Sequence, residues 1–252
     1  MMRSACALAA CWWLPLSVPA AASPASAAEV LPPVIDVAGS IGIVTDYRFR
    51  GISLSDTHPS VQGSIVATHR SGAYAGISAY TLNGFGELGG SNLELDLYAG
   101  YRHNIGPVTV DAGLLYYAYP GSSGGSYEFI ESYASLSARI GPATAKLSAA
   151  YSPPQDGLNG NGNLYLAGEV ALPIRSTPAT LRGRLGRSSG DTPLTPGGLY
   201  HEWLVGADYE LGQVTLGAAI TGTDIAAAEA RAAGARPRDT RPTLSLTAAL
   251  RF

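Results

Sequence analysis

Cysteine, charged residues and long apolar runs are all scarce in this 252-residue chain, and each scarcity excludes a class of protein. Only two cysteines occur, and 14% of the residues are charged, well below the quarter that is usual in soluble domains. Beyond the N-terminus there is no apolar stretch of 18 residues, which excludes a helical membrane protein. A net charge of -3 without any basic run argues against nucleic acid as a partner.

The N-terminus has the three parts of a secretory signal peptide. Met1 to Arg3 give a positive start, Ala5 to Val18 form an apolar run, and Ser26-Ala27-Ala28 supplies small residues before Glu29. We therefore predict that residues 1–28 are a signal peptide and that the exported chain begins near Glu29.

Both cysteines, Cys6 and Cys11, fall inside that predicted signal peptide. The exported chain would then have no disulfide, no cysteine metal ligand and no cysteine nucleophile. A lipoprotein cysteine at Cys11 is the alternative. It is disfavoured because the apolar run before it covers only Ser4 to Ala10.

Glycine and tyrosine are abundant instead, with 31 and 14 copies, and apolar residues alternate at the strand period of two. In the last segment Leu244, Leu246 and Leu250 share one face with Phe252. Most segments are about 9–12 residues long, which suits a tilted strand crossing the hydrocarbon layer. Twelve such segments start near Ser40, Ser60, Ala73, Leu93, Val108, Phe129, Ala143, Asn163, Ala179, Tyr200, Val214 and Pro242.

The connectors between these segments alternate between short and long, as in an up-and-down barrel with tight periplasmic turns. Examples are the short Ile140-Gly141-Pro142 and the long Ser152 to Gly162, Arg187 to Leu199 and Asp224 to Arg241. We predict an all-β protein, a transmembrane antiparallel up-and-down β-barrel of about 12 strands over residues 40–252. Residues 29–39 would be a periplasmic N-terminal segment.

A soluble sandwich would alternate in the same way, but the aromatic residues favour lipid. Outward aromatics gather at both strand ends, as the two interfaces of a bilayer require. The chain also ends on an amphipathic strand with a terminal aromatic residue, which predicts recognition by the barrel assembly machinery. The predicted girdle consists of Tyr47, Phe49, Tyr116, Tyr151 and Trp203 at the loop end and Tyr101, Tyr209 and Phe252 at the turn end.

The predicted inner face is rich in charge of both signs, and this has two interpretations. Opposite charges could pair across strands and plug the barrel, or they could line a narrow aqueous path that selects solutes by charge. The narrow path is the preferred interpretation. The candidate lumen residues are Asp46, Arg48, Arg50, Glu94, Asp96, Arg102, Glu131, Arg182 and Arg184.

Two basic groups stand out among these lumen candidates. Arg48 and Arg50 approach the first outer loop with Asp46, and Arg182 and Arg184 form a second pair. We predict that these five side chains contact permeating anions or polar solutes and that Asp46 orients Arg48. The alternative is that Arg48 and Arg50 form salt bridges to neighbouring strands and fix the register.

The segment Thr45-Asp46-Tyr47-Arg48-Phe49-Arg50-Gly51-Ile52-Ser53, followed by Pro59, Gln62 and Gly63, resembles the opening of the TorF-type porins. Tyr116 to Gly121 and the strand with Glu131 and Tyr133 resemble later blocks of that family. The resemblance implies an outer-membrane barrel and little about the substrate. The insert Ile225 to Arg241 is longer than the family's usual last loop.

Chemistry beyond diffusion has little support in the sequence. No HExxH or CxxC spacing exists, and the four histidines are not at metal-binding intervals, so neither a metal nor another cofactor is expected. Gly121 to Gly125 matches G-x-S-x-G in a flexible loop rather than at a strand-to-helix turn. His201 beside Trp203 has no serine partner in sequence, so we do not expect an enzyme.

Together these features predict a porin-like channel of the bacterial outer membrane. It would be surrounded by lipid and would allow passive diffusion of small polar or charged solutes. The alternative is a plugged barrel that acts as a surface-interaction or structural anchor through its outer loops.

Overall fold

The computed structural model describes residues 34–83 and 88–252. The predicted signal peptide, residues 29–33 and the middle of the second outer loop lie outside this part. The described strands are β1 Ile35–Val44, β2 Arg48–Phe49, β3 Ile52–Ser53, β4 Ser60–His69, β5 Ala73–Thr81, β6 Leu93–Ile105, β7 Val108–Ala118, β8 Phe129–Ile140, β9 Ala143–Ser152, β10 Asn163–Pro173, β11 Ala179–Ser189, β12 Leu199–Leu211, β13 Val214–Thr223 and β14 Thr243–Arg251, and helix α1 is Ala227–Ala232.

Twelve of these strands close into one antiparallel barrel, and β2 and β3 form a separate two-stranded hairpin. Each barrel strand pairs with its neighbours along the chain. Closure joins β1 to both β4 and β14, with Val44 opposite Ser60 and Ser40 opposite Arg251. A closed sheet leaves no unpaired strand edge, which is the condition for placing strands in hydrocarbon.

The apolar face of each barrel strand points outward. Leu185, Leu147 and Val205 are 71%, 66% and 64% exposed, whereas Val44 and Tyr165 on the inner face are fully buried. Such a distribution is stable when the surroundings are acyl chains rather than water. In the described part of the chain, no helix has the length and apolar character needed to cross a membrane.

The barrel strands agree with the predicted segments in number and order, but several of their ends differ. β1 begins at Ile35, so residues 35–39 belong to the barrel rather than to a periplasmic segment. β11 continues to Ser189, beyond the predicted start of its loop at Arg187. Most importantly, β1 ends at Val44, and the chain then turns into the barrel instead of continuing the strand.

Residues 45–59, which contain β2 and β3, are called the inner hairpin below. The other described outer connections are loops, with single 3-10 turns at Asp156–Leu158 and Pro196–Gly198 and helix α1 in the last outer loop, residues 224–242. The inner hairpin therefore fills the lumen from the side of the long loops.

Candidate functional site

The inner hairpin reverses direction at Arg50 and Gly51. Arg48 pairs with Ser53 and Phe49 with Ile52, which leaves a two-residue turn with φ of 47° and 87°. Positive φ at both positions is the geometry of a type I′ turn, where Asn-Gly is preferred and arginine is uncommon. The turn thus places an arginine at the tip of the hairpin at some conformational cost.

Gly51 is required by space as well as by its φ angle. A Cβ atom at this position would lie 2.6 Å from Cγ2 of Thr223 and 2.9 Å from Cβ of Glu202. The tip therefore touches the wall at β12 and β13, which leaves no space for a side chain.

The guanidinium of Arg48 has its hydrogen-bond partners within the inner hairpin and on the neighbouring strand β14. Its Nε lies 2.6 Å from Asp46 Oδ2, and its other nitrogens donate to the carbonyl of Gly51 at 2.7 Å and to Oγ1 of Thr243 at 2.7 Å. The hydroxyl of Ser53 donates to the second oxygen of Asp46 at 2.5 Å. The predicted contact between Asp46 and Arg48 is present. Both side chains are buried against each other and do not line an open path through the lumen.

Arg50 reaches across the lumen to the opposite wall. One nitrogen donates to Glu131 Oε2 at 2.6 Å, and another donates to Asn163 Oδ1 at 2.9 Å. The guanidinium carbon lies 4.3 Å from the ring centre of Tyr165 and 4.7 Å from that of Phe49. Arg50 is 1% exposed, so this ion pair is dry and strongly held.

Two predicted girdle residues are placed wrongly by the sequence pattern. Tyr47 and Phe49 are 5% and 8% exposed and lie inside the barrel, because the strand that would have turned them outward ends at Val44. Tyr47 stacks on Tyr80 with ring centres 4.4 Å apart, and Phe49 packs edge-on against Tyr117 at 5.7 Å. They anchor the hairpin instead of facing lipid.

The remaining girdle candidates are partly exposed on the outer face, including Trp203 and Phe252 at 36% and 66%. Their role at the two interfaces stays a prediction. The full set is Tyr116, Tyr151, Trp203, Tyr101, Tyr209 and Phe252.

Beneath Tyr47 the wall carries two acidic side chains, Glu94 and Asp96, that are almost completely buried. The hydroxyl of Tyr47 donates to Glu94 Oε1 at 2.5 Å. Within the described residues, Glu94 Oε2 and Asp96 Oδ1 have no hydrogen-bond partner, and neither residue forms a salt bridge. Both were predicted to face the lumen, and both do.

The last outer loop holds the inner hairpin from above. Arg236 and Arg238 both donate to the carboxylate of Asp56, and the backbone N–H of Ser53 donates to the carbonyl of Asp239 at 2.9 Å. The long insert, whose role the sequence left open, therefore covers the hairpin.

Two aspartates in this cover have shifted pKa values. Burial alone would raise the pKa of Asp56, but hydrogen bonds from Arg238 and Arg236 outweigh burial and lower it. Burial, together with the nearby charge of Asp56, raises the pKa of Asp239 to about 6, against the opposing effect of Arg238.

The periplasmic half of the lumen is arranged differently. Its charges pair between neighbouring strands and are partly exposed: Arg102 with Asp111 at 2.5 Å, Lys146 with Glu169 at 3.6 Å and Arg182 with Asp208 at 2.6 Å. Arg184 pairs with Glu202 at 2.7 Å near the boundary between the halves. A small cavity of about 20 Å³ lies here, lined on the inner side by Glu169, Ala171, Arg182, Arg184 and Leu204.

The predicted lumen residues are thus all inside the barrel, but the structure separates them into two groups. Arg48 and Arg50 belong to the inner hairpin and are each 1% exposed, so neither lines an open path in this structure. That they contact permeating solutes stays a prediction. Sequence reasoning missed Asn163 and Tyr165 as partners of Arg50, and missed the role of Gly51. The Arg50-Gly51 dipeptide was an available signal, since glycine after a polar residue often marks a two-residue turn.

His201 lies on the outer rim, where its Nδ1 is 2.9 Å from Asp224 Oδ2 and both side chains are more than half exposed. Among residues 34–83 and 88–252, no group of three His, Cys, Asp or Glu side chains is placed to hold a metal ion. The expectations of no metal, no cofactor and no enzymatic activity stay predictions.

One solved chain supports the fold, and two further chains align with lower TM-scores. A chain from a study of the in-meso crystallization of membrane proteins aligns with a TM-score of 0.52 and 8% identity, covering 85% of this chain and 83% of that one. The COG4313 outer membrane channel from Pseudomonas putida F1 aligns with a TM-score of 0.47 and 12% identity over 91% and 100% of the two chains. LpxR from Salmonella typhimurium aligns with a TM-score of 0.42 and 9% identity, covering 85% of this chain and 99% of that one.

A closed sheet with an apolar outer band and a polar, filled interior defines an outer-membrane β-barrel, and the chain resides in the bacterial outer membrane. It belongs to the Gcw_chp family, bacterial proteins of unknown function, whose family model matches residues 27–247. No curated protein matches the sequence. The resemblance to TorF-type porins stays an expectation.

Proposed function

We propose that the protein is an outer-membrane channel for small polar or charged solutes that is closed at rest by its inner hairpin. The observation that carries this proposal is the hairpin itself, a charged segment of the chain seated in a charged lumen. Arg48 and Arg50, at its centre, are each 1% exposed.

The polar character of the hairpin favours a closure that can open. Buried ion pairs carry a large desolvation cost, and apolar side chains of similar volume often seal a space at least as stably. If the hairpin only had to fill the barrel, apolar residues would suffice. A charged hairpin leaves behind a hydrophilic wall that water can enter once the segment moves.

The charged and partly exposed side chains of the periplasmic half suit the passage of polar solutes. In the periplasmic half, the side chains of Arg102 and Lys146 are 21% and 24% exposed. On this proposal the inner hairpin is the main barrier between this partly exposed half and the outer surface.

The second candidate function is a sealed anchor that presents its outer loops to a partner. Its support is the completeness of the seal, with side chains such as Glu94, Tyr200 and Thr221 buried around the hairpin. In that case the hairpin would be a permanent part of the interior.

Planar-bilayer recording on a hairpin-deleted protein separates the two. Residues 46–57 are replaced by a short Gly-Ser linker, and heat-modifiable mobility on gels confirms that the barrel has folded. We expect rare, brief openings from the intact protein and sustained conductance from the deletion. The matched control shortens the exposed loop at Gly121 to Gly125, which should leave conductance as in the intact protein. A folded deletion variant without conductance would establish the sealed anchor instead.

Lipid surrounding the barrel, and assembly through the C-terminal strand, are part of the same proposal. The backbone of Phe252 pairs with that of Gly39 through hydrogen bonds of 2.9 and 3.0 Å, so the last residue takes part in closing the barrel. Removing Phe252 should lower the amount of folded protein in the outer membrane without changing the conductance of the molecules that do fold.

A further inference from the structure

We infer that the wall around Arg50 is a binding site for solute cations, and that Arg50 occupies it as a built-in competitor. The expected solutes are small molecules that carry a guanidinium or amine group. This inference rests on the proposed function, since a solute reaches the site only after the inner hairpin moves.

The site has the composition that guanidinium recognition requires. A carboxylate oxygen of Glu131 and the amide oxygen of Asn163 accept hydrogen bonds at 2.6 and 2.9 Å, and the ring of Tyr165 lies 4.3 Å from the guanidinium carbon. A planar cation with several donors matches this combination of acceptors and a flat π-face.

All three of these groups belong to the barrel wall and not to the hairpin. Glu131 is on β8, whereas Asn163 and Tyr165 are on β10. They would stay in place when the hairpin moves, so the site would lose Arg50 but keep its three wall groups.

Neighbouring side chains hold the acceptors in position. The hydroxyl of Ser152 donates to Glu131 at 3.1 Å, while the amide nitrogen of Asn163 donates to Ser188 and Thr195 at 3.2 and 2.5 Å. The side-chain oxygen of Asn163 is thereby directed at the cation. Preorganisation of this kind lowers the entropic cost of binding a free solute.

The charge of the wall favours cations once the inner hairpin is removed. In the described part of the chain, the wall of the outer half and its boundary with the periplasmic half have four buried carboxylates and one buried arginine. Charged side chains that line a pore select ions of the opposite sign. The residues concerned are Glu94, Asp96, Glu131 and Glu202, with Arg184.

The backbone conformation of Arg50 also indicates that the wall binds its guanidinium. Its φ of 47° suits asparagine or glycine in a type I′ turn, yet the position carries a long cationic side chain. Backbone strain is retained where the surroundings over-determine it. The contacts of the guanidinium with the wall are what hold it here.

Chemical rescue tests the site without any recording of conductance. Arg50→Asn keeps the turn and removes the guanidinium, so the folded barrel should unfold at a lower temperature. Millimolar methylguanidinium chloride should restore part of that loss in Arg50→Asn and should not stabilise the intact protein. Adding Glu131→Gln to the variant should abolish the rescue. Equal responses of all three proteins would overturn the inference.

The ion selectivity of the hairpin-deleted protein tests whether the cation site acts on permeating solutes. With a methylguanidinium chloride gradient across a planar bilayer, we expect the sign of the reversal potential to show that methylguanidinium permeates more readily than chloride. Glu131→Gln should reduce the preference for methylguanidinium several-fold while conductance persists. A conducting pore without preference, together with absent rescue, would overturn this inference alone. A deletion variant that never conducts would overturn the proposed function, whereas rescue would still establish that the wall binds the cation.

Discussion

The two halves of the lumen hold similar numbers of charges in different ways. In the periplasmic half, acid and base come from neighbouring strands, as with Arg102 and Asp111, which lie directly opposite each other. In the outer half, the base that neutralises Glu131 comes from residue 50, on a segment that is not part of the wall.

This difference determines which half can change state. Cross-strand pairs move only if the barrel deforms, because both partners are fixed by the hydrogen-bonded sheet. Among the described residues, the inner hairpin has its own two-stranded pairing, side-chain contacts to the wall and few backbone hydrogen bonds to the rest of the fold, such as those from Thr45 to Leu246 and from Ser53 to Asp239. Segments with few backbone hydrogen bonds to the rest of the fold open most readily. The outer half is therefore where opening should occur.

The largest effect should come from Glu131→Ala, which leaves the guanidinium of Arg50 buried without its carboxylate. Removing one partner of a buried pair costs about 3–5 kcal/mol, so the hairpin should leave the lumen rather than bear this cost. Limited proteolysis should then cut within residues 46–57, and conductance should rise.

A double variant controls for lost packing at the same position. With Arg50→Asn added to Glu131→Ala, no charge is stranded, and cleavage should fall back toward that of the intact protein. Equal cleavage of the single and double variants would mean that the ion pair does not hold the hairpin.

A smaller effect is expected from Gly51→Ala. The new Cβ would meet Thr223 and Glu202 at a backbone φ of 87°. Alanine at positive φ costs more than about 1 kcal/mol, and the contact with the wall should add to this. Hydrogen exchange of the Ser53 amide, which bonds to Asp239 across the cover, should accelerate.

Gly124 provides a matched control for that substitution. It has the same φ of 87° and nothing within 4 Å of a Cβ position. Gly124→Ala should leave exchange at Ser53 unchanged. Equal acceleration in both variants would show that the closed hairpin does not depend on the fit of Gly51 against the wall.

A weaker, pH-dependent effect should arise in the cover. The pKa of Asp239 is about 6 when the cover is closed and returns to its ordinary value of 3.8 when the loop is released. Between these values the closed form binds the extra proton, so raising the pH weakens closure until about pH 6. Openings should be rarer at pH 5 than at pH 7.5.

Asp239→Asn should flatten this dependence, whereas Asp191→Asn in an exposed loop should not. Below pH 4 the sign reverses, because the lowered pKa of Asp56 means that closure is lost once that carboxylate is protonated. Openings that become more frequent from pH 7.5 to pH 5 would contradict the assignment to Asp239.

How much of this was readable from the sequence depends on the range of the interactions. The strands around Leu244 and Leu97 were predictable because period-two alternation is local and the lipid-facing side must be apolar. The lumen position of Glu94 and Arg182 followed from the same alternation. These inferences needed no knowledge of which strands meet.

The inner hairpin was not predictable in the same way. Asp46, Arg48 and Arg50 alternate with Tyr47 and Phe49 as a membrane strand would, and a short hairpin inside the lumen shows the same alternation. The two differ only in partners that lie far away in sequence, such as Asn163, which is 113 residues from Arg50. A single sequence contains no record of such a contact.

The smallest effect should come from the periplasmic half, at Lys146 and Glu169. The two charges are 3.6 Å apart and each side chain is about a fifth exposed, so water already screens them. Partly exposed pairs contribute about 0–1 kcal/mol, and Lys146→Met should shift thermal unfolding little and leave hairpin cleavage unchanged. A Lys146→Met variant that released the hairpin as Glu131→Ala does would show that the two halves are coupled. The wall would then have to deform when the channel opens, and the hairpin alone would not account for closure.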